Sequence, residues 1–476
     1  MMYYQLLGPE ITVAVLGLLV LAGSLLLPSH GKNALGYLTT IGLAAVLLAV
    51  ILNFSREAIF FAGVYQIDMY ANFFRLLFLS AALLIMLMSS RYTGLFGERK
   101  SEWFSFMLFA TLGMMIMVAA GDLIMVYVGL ELMTISFYIL TAYLLNDRWS
   151  AEAGLKYLLI GAMSSAVLLF GMSLIYACSG STVFTEIYQA LLAGSERPAL
   201  LAGIVMMMAG LGFKISVVPF HMWTPDIYQG APTPVTAYLA VASKAAGFAV
   251  LVRILLIAFP PTSLDWKLIL AVLAALTIII GNLTALPQTN VKRMLAYSSI
   301  AQAGYILVGL VAANTYGLKG VLFYAMTYVF ANVAAFAVTA VVEVAEGNAE
   351  LESFNGLGRR APMPAAVMTI CLLSLAGIPP MAGFAGKLYL FSGAIQGGYL
   401  WLAFIGLLMS MISVYYYLHV AKAMYIGISS REDRVLLPVP VRIALWICLL
   451  GTILMGVYPG PLSELTELAV QLFSAV

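Results

Sequence analysis

Gly212-Phe213-Lys214-Ile215-Ser216-Val217-Val218-Pro219-Phe220-His221-Met222-Trp223-Thr224-Pro225-Asp226 decides how this chain is read. An apolar run reaches Lys214 and is then broken by two prolines. Proline removes a backbone donor and clashes with the preceding turn, so the segment opens into two half-helices. Backbone left unpaired at membrane depth is tolerated only where protein buries it or a wet cavity receives it. A second stretch repeats the plan: Leu375-Ala376-Gly377-Ile378-Pro379-Pro380-Met381-Ala382-Gly383-Phe384-Ala385-Gly386-Lys387. Each break has a lysine within about two turns of its prolines.

The composition names the solvent. Hydrophobic residues make up 63% of the 476 and charged residues 9%, against about 25% charged in a soluble domain. A net charge of +2 is too small to point to nucleic acid. Cys178, Cys371 and Cys448 each lie alone in apolar runs, with no metal or redox spacing. No CxxC, HExxH, GxGxxG or P-loop pattern appears, so no nucleotide, haem or iron–sulfur cluster is expected in this chain.

Apolar runs set against polar punctuation predict an all-α polytopic membrane protein of fourteen spans, near 9–28, 34–53, 70–90, 104–120, 122–145, 155–178, 200–218, 232–259, 267–287, 295–313, 318–345, 362–395, 400–427 and 440–460. The first run follows Gly8-Pro9-Glu10 with no basic region ahead of it, and reads as a span rather than a signal peptide. The polar loop from Glu343 to Arg360 reads as a short surface segment, and only a short tail is expected after the last span.

The breaks lie five spans apart. That predicts two discontinuous helices within a duplicated five-helix unit: spans 1–3 in residues 1–90, a first repeat over 104–259, a second over 267–427, and the last span and tail over 440–476. An odd number of spans per unit inverts the copies, a recurrent transporter plan. Lys and Arg concentrate in loops after odd-numbered spans, as at Lys32, Arg91, Arg99, Lys100, Arg148, Lys292, Arg293 and Arg431. Loops after even-numbered spans hold only Arg56, Arg197, Arg253, Lys267 and Lys319. The odd loops should therefore face the cytoplasm and both termini the other side.

The candidate site is the set of charges inside the spans: Glu131, Lys156, Lys214, Lys244 and Lys387. Each costs roughly 2.5–3.5 kcal/mol to insert, and such groups mark ion or proton routes. Glu131 is the carboxylate near the centre of a span and should pair with Lys156 or Lys214, unless it is a purely structural pair. Desolvation disfavours the ammonium form, so a buried lysine can release and recover a proton near neutral pH. Lys244 is too deep to snorkel; Lys156, near the start of its span, is open to both readings. His221 in the first break and His419 in span thirteen are balanced between relay and structural hydrogen bonding. His30 is expected in a loop, and Arg75 is expected to snorkel.

The run from Phe213 to Asp226, continued by Ile227-Tyr228-Gln229-Gly230-Ala231-Pro232-Thr233-Pro234-Val235, resembles the antiporter-like membrane subunits of complex I, the proton-pumping NADH:quinone oxidoreductase. So do Asn290-Val291-Lys292-Arg293-Met294-Leu295-Ala296-Tyr297-Ser298-Ser299-Ile300 and the block from Gly377 to Lys387. A lysine rather than a glutamate at 387 favours the subunit N branch. The resemblance implies that Glu131, Lys214, Lys244 and Lys387 carry protons along a hydrophilic axis, with Lys156 as a further lysine. Relatives often have histidine where this chain has Gln302, which cannot titrate.

The resemblance further implies a bacterial inner membrane and other membrane-arm subunits as partners, including another antiporter-like subunit and small membrane subunits. FMN, iron–sulfur clusters and quinone would reside in partner subunits. Two other readings stay open: a subunit of a Mrp-type cation/proton antiporter or of a ferredoxin-linked relative, and a structural scaffold. On the simplest titratable role for Lys387, glutamate should replace it better than alanine.

Overall fold

The computed structural model describes residues 4–28, 31–193, 197–260, 266–429 and 433–473; His30 and Arg431 lie outside them. Among the described residues, thirteen helices are long and apolar enough to cross a membrane. The one expected span missing from these is the twelfth, at 362–395, which divides into Pro362–Ala376 and Ala382–Gln396.

Span ends follow local chemistry. Asp68, Asp122, Asp147, Asn290 and Asn314 each accept a backbone N–H in the first turn of the third, fifth, sixth, tenth and eleventh spans. Left-handed Gly180 and Gly347 close the sixth and eleventh. The sixth span is longer than expected, Arg148–Ser179, because Asp147 caps it ahead of the continuous apolar run. A hairpin, Ala58–Phe60 with Tyr65–Ile67, joins the second and third spans. The tail is not plain coil, since Gly460–Val470 forms a further helix that packs on the third and eleventh spans. Lys319 donates to its Glu467 at 2.8 Å.

The two breaks organise the interior. The seventh span runs Arg197–Ile215, breaks, and resumes as Trp223–Gly230, well past the expected end at 218. Packing repeats across the chain. The fourth span lies on the fifth as the ninth lies on the tenth, and the sixth and eleventh each embrace both halves of a broken helix. The eighth, tenth and eleventh spans are buried over almost their whole length, while the first, second and fourteenth are mostly open at the periphery.

Three charges expected at interfaces or in loops are instead buried in ion pairs. Arg75 does not snorkel: it is 2% exposed, pairs with Glu10, and donates to Asn72 Oδ1 at 3.0 Å. Arg253 pairs with Asp68 at 2.8 Å, and Lys292 pairs with Glu343 at 3.1 Å while donating to the Ala231 carbonyl. Their partners are remote in sequence, so loop counting could not see them. Removing one partner of a buried pair strands the other charge at roughly 3–5 kcal/mol. Asp68→Ala also deletes the cap on the third span. It is expected to lose most folded protein, read as recovery from detergent extracts, whereas Asp68→Asn keeps the cap and loses less.

Candidate proton-relay site

The first break exposes little backbone to the bilayer because other groups satisfy it. The indole of Trp223 donates to the Phe213 carbonyl at 2.9 Å, and Val218 N–H donates to Thr277 Oγ1 of the ninth span at 3.1 Å. Thr224 donates to Ser216, whose φ of 61° turns the chain out of the helix. Tyr157 stacks on Trp223 with ring centroids 5.1 Å apart. The break is a packed structure, as membrane burial of open backbone requires.

Lys214 lies in the last turn before this break. Its Nζ donates to Thr134 Oγ1 at 2.7 Å and to Tyr157 Oη at 3.0 Å. A cavity of about 10 Å3, the size of a single water, opens beside it between Thr134, Ser164 and Ser165. Glu131 sits one turn before Thr134 on the same helix face. The expected contact pair is absent: no ion pair joins Glu131 to Lys214 or Lys156, and Glu131 Oε1 is buried without a hydrogen-bond partner among the described residues. The Lys214 ammonium is held instead by Thr134, one turn on from Glu131.

Lys156 stands apart from the buried lysines. Its side chain is 41% exposed and pairs with Glu152 at 2.7 Å and Asp226 at 2.9 Å. Asp226 also accepts from Arg293 at 2.8 Å, so Lys156 belongs to an ionic cluster at the outer edge of the trailing half-helix. The spacing that suggested burial is that of a long helix whose first turns lie beyond the apolar run.

Lys244 follows a π-helical turn, Leu239–Ser243, in the buried eighth span. Such turns often occur at functional sites. Its Nζ donates to Ser299 Oγ at 2.7 Å and lies 5.6 Å from the centre of the Tyr228 ring. One turn on, Gly247 lets this helix touch the one bearing Lys214, since a Cβ there would fall 2.6 Å from Ile215 Cγ2 and 3.7 Å from Lys214 Cγ. Gly247→Val should push the two lysine-bearing helices apart. The expected result is proton transfer slowed about tenfold or more with the assembly retained, measured as dye-reported acidification in proteoliposomes.

Lys387 follows the second break, on the half-helix Ala382–Gln396. Its Nζ donates to the carbonyls of Leu375 (2.9 Å) and Ala376 (3.1 Å) and to Ser410 Oγ (2.7 Å). The ammonium thus sits at the C-terminal end of the partner half-helix Pro362–Ala376, where the helix dipole favours a cation. It also lies 4.5 Å from the Tyr305 ring centre. Gly377, at φ 86°, leaves the space the lysine occupies: a Cβ would come within 2.9 Å of Lys387 Cδ.

Between Lys244 and Lys387 runs a chain of polar side chains that the spacing of charges did not disclose. Gln302 Nε2 donates to the same Leu375 carbonyl as Lys387, at 3.1 Å, and to Tyr417 Oη at 3.2 Å. Tyr324 donates to Gln302 Oε1, and Tyr417 hydrogen-bonds to Ser298, next to the Ser299 that holds Lys244. Ser298, Ser299 and Gln302 share the tenth span. The nearest sequence signal was the Ser298-Ser299 pair, yet hydroxyls in membrane helices usually bond their own backbone, so it did not stand out.

The two histidines part company. His221 is buried in the first break, with Nδ1 lacking a partner among the described residues. His419 is on an exposed face, 6.2 Å from the Tyr415 ring, and touches no buried lysine. Among the described residues no group of three His, Cys, Asp or Glu could hold a metal ion.

Two broken helices, a buried lysine at each, and a third lysine between them define an antiporter-like membrane subunit, and the comparisons agree. The family described as NADH:quinone oxidoreductase/Mrp antiporter, TM, matches residues 120–413. NADH-quinone oxidoreductase subunit N of Desulforamulus reducens is 49% identical over 470 residues, covering 99% of this chain and 98% of that protein. A chain of respiratory complex I from Thermus thermophilus superposes with a TM-score of 0.82 at 33% identity, covering 96% of this chain and 99% of that one. A chain of the Mrp complex from Dietzia sp. DQ12-45-1b shares the fold, with a TM-score of 0.89 at 20% identity and 98% and 97% coverage. The chain belongs to the family of NADH-quinone oxidoreductase subunit N, a multi-pass integral membrane protein.

Proposed function

We propose that this chain translocates protons as a membrane-arm subunit of NADH:quinone oxidoreductase, complex I, along Lys214, Lys244 and Lys387. The observation that carries the reading is the polar chain Lys244–Ser299, Ser298–Tyr417–Gln302, and the Leu375 carbonyl shared with Lys387. Hydroxyls both donate and accept, so Ser298, Ser299 and Tyr417 can pass a proton, while water carries it between the two serines and past Gln302 and the Leu375 carbonyl, which cannot. Family membership at 49% identity over nearly the full length supports the assignment to the redox complex. The Mrp-type antiporter shares the fold at 20% identity and is the weaker reading.

In this scheme Glu131 sets the protonation of Lys214. When Glu131 approaches, its charge favours the ammonium; when Lys214 rests on Thr134 and Tyr157, that field is weaker and the proton can leave for Lys244. His221 stands in the first break as a secondary group. Lys156 and His419, on exposed faces, lie off this route. The push on Glu131 comes from quinone reduction in partner subunits, which also hold the FMN and iron–sulfur clusters. Other antiporter-like and small membrane subunits flank the chain in a bacterial plasma membrane. Both termini lie outside the cytoplasm, and residues 104–259 and 267–427 form the two inverted units.

A tag on this chain and extraction in gentle detergent test the assignment. Recovery of an assembly with flavin, iron–sulfur clusters and NADH:quinone activity is the expected result. Recovery with membrane subunits alone, together with sodium-dependent proton exchange, would replace it with a secondary antiporter.

A further inference from the structure

The two breaks are held in different ways. Trp223 ties the first from within, its indole bonding one half to the other. In the second, Gly383 N–H donates to Ser374 Oγ at 3.0 Å, and the end of the fourteenth span, Val439–Val457, meets the break from outside. A Cβ at Gly456 would run into the Pro380 carbonyl oxygen and the Met381 carbonyl carbon, and would come within 2.5 Å of Ala382 N. All three are backbone atoms, so no side chain can swing aside to make room. Glycine weakens a helix relative to alanine, and what it permits here is this close approach. The fourteenth span is thus seated on the residue where the half-helix Ala382–Gln396 begins.

The same end of the chain continues along that half-helix. Ser463 Oγ and Tyr389 Oη hydrogen-bond at 3.1 Å, and Tyr389 stands two residues from Lys387. Lys319 of the eleventh span lies 5.4 Å from the Tyr389 ring centre and donates to Glu467 of the tail helix. The eleventh span grips a flank of the half-helix, where a Cβ at Gly320 would fall 2.8 Å from Leu390 N. Placement matters to Lys387 because its bonds cross the break. The side chain grows from one half-helix, whereas the Leu375 and Ala376 carbonyls belong to the other and Ser410 to the thirteenth span. Lys387 lies about 7.5 Å along the helix from Ala382, so a shift at the start of the half-helix is carried to the ammonium.

We propose that Gly456 is a positioning residue for proton transfer at Lys387. The end of the fourteenth span and the tail helix set where the half-helix Ala382–Gln396 sits, and so where the ammonium meets its three acceptors. The inference rests on the reading of Lys387 as a proton carrier. A misplacement of about 1 Å can cost a positioned group most of its rate, so a peripheral glycine can govern a buried lysine.

The test uses the assembly recovered through a tag on this chain, placed in proteoliposomes and driven by NADH and quinone. Gly456→Ala should keep complex yield and quinone reduction while proton yield per electron falls about tenfold or more. The pH at which proton yield is halved should also move by about half a unit or more, the scale of one weakened hydrogen bond. Gly451→Ala makes the same substitution on the same span, where a Cβ meets the Phe330 ring at 2.7 Å, and should change neither readout. Should Gly456→Ala fail to assemble, the pair Ser463→Ala, Glu467→Gln loosens the tail without touching a buried residue. That pair should lower proton yield about threefold, from the loss of two surface contacts. Full pumping in Gly456→Ala, equal loss in Gly451→Ala, an unmoved pH profile or a tail pair that pumps normally would overturn the proposal. Normal pumping in Lys387→Ala would instead remove the reading of Lys387 beneath it, and the proposal with it.

Discussion

Lys244→Met should leave an assembled complex that reduces quinone but moves far fewer protons per electron. Methionine keeps most of the volume of the lysine stem and asks for no partner. Replacing a buried charge by an apolar group of similar size is often neutral or stabilising. Among the described residues Lys244 makes a single hydrogen bond, to Ser299, and Ser299 also bonds the Ala296 carbonyl, so the variant strands no buried donor. What it removes is the titratable group between Lys214 and the chain leading to Lys387. Loss of a positioned proton-transfer group costs on the order of 100-fold or more in rate. Proteoliposomes with a pH-sensitive dye, driven by NADH and quinone, separate the two activities. A near-normal proton yield per electron would remove Lys244 from the route, whereas loss of assembly would make its role structural. Lys244→Ala should show the same loss of pumping with a lower yield of complex.

The architecture was legible because membrane insertion leaves little freedom. Apolar run lengths fixed thirteen of the helices, and the paired prolines located both breaks together with the lysines beside them. The partners of the charges were much less legible. Arg75 and Lys292 lie near polar punctuation and Arg253 in an apolar run, and sequence gives no sign that Glu10, Asp68 and Glu343 fold against them. Lys156, open to both readings because its sequence context is apolar, is carried by the long sixth span out to Asp226. The set of polar side chains between Lys244 and Lys387 was least visible of all. It is made of serine, tyrosine and glutamine, residues common enough in membrane helices that only their convergence distinguishes them.

Lys387→Ala should abolish proton release through this chain while barely disturbing the fold, and it is a cleaner test than the glutamate variant. The three acceptors of Lys387 are not orphaned by its loss. The Leu375 carbonyl keeps Gln302 Nε2, the Ala376 carbonyl keeps Ser410 Oγ, and Ser410 remains bonded through that donation. The truncation therefore leaves a cavity but no unsatisfied buried acceptor, so the larger penalty is avoided. Glutamate behaves differently. Ionised, it would aim a carboxylate at two carbonyl oxygens and at the negative end of the half-helix Pro362–Ala376, where the dipole disfavours an anion. Protonated, it could donate only one bond where the ammonium donates three. The geometry thus reverses the expectation drawn from titratability alone: Lys387→Glu should assemble less well than Lys387→Ala. Both should lose pumping by about 100-fold or more. Complex yield on native gels and proton yield per electron decide the matter together. Full assembly and pumping in the glutamate variant would mean the half-helix end rearranges to accept an acid. Normal pumping in the alanine variant would place proton exit elsewhere than Lys387.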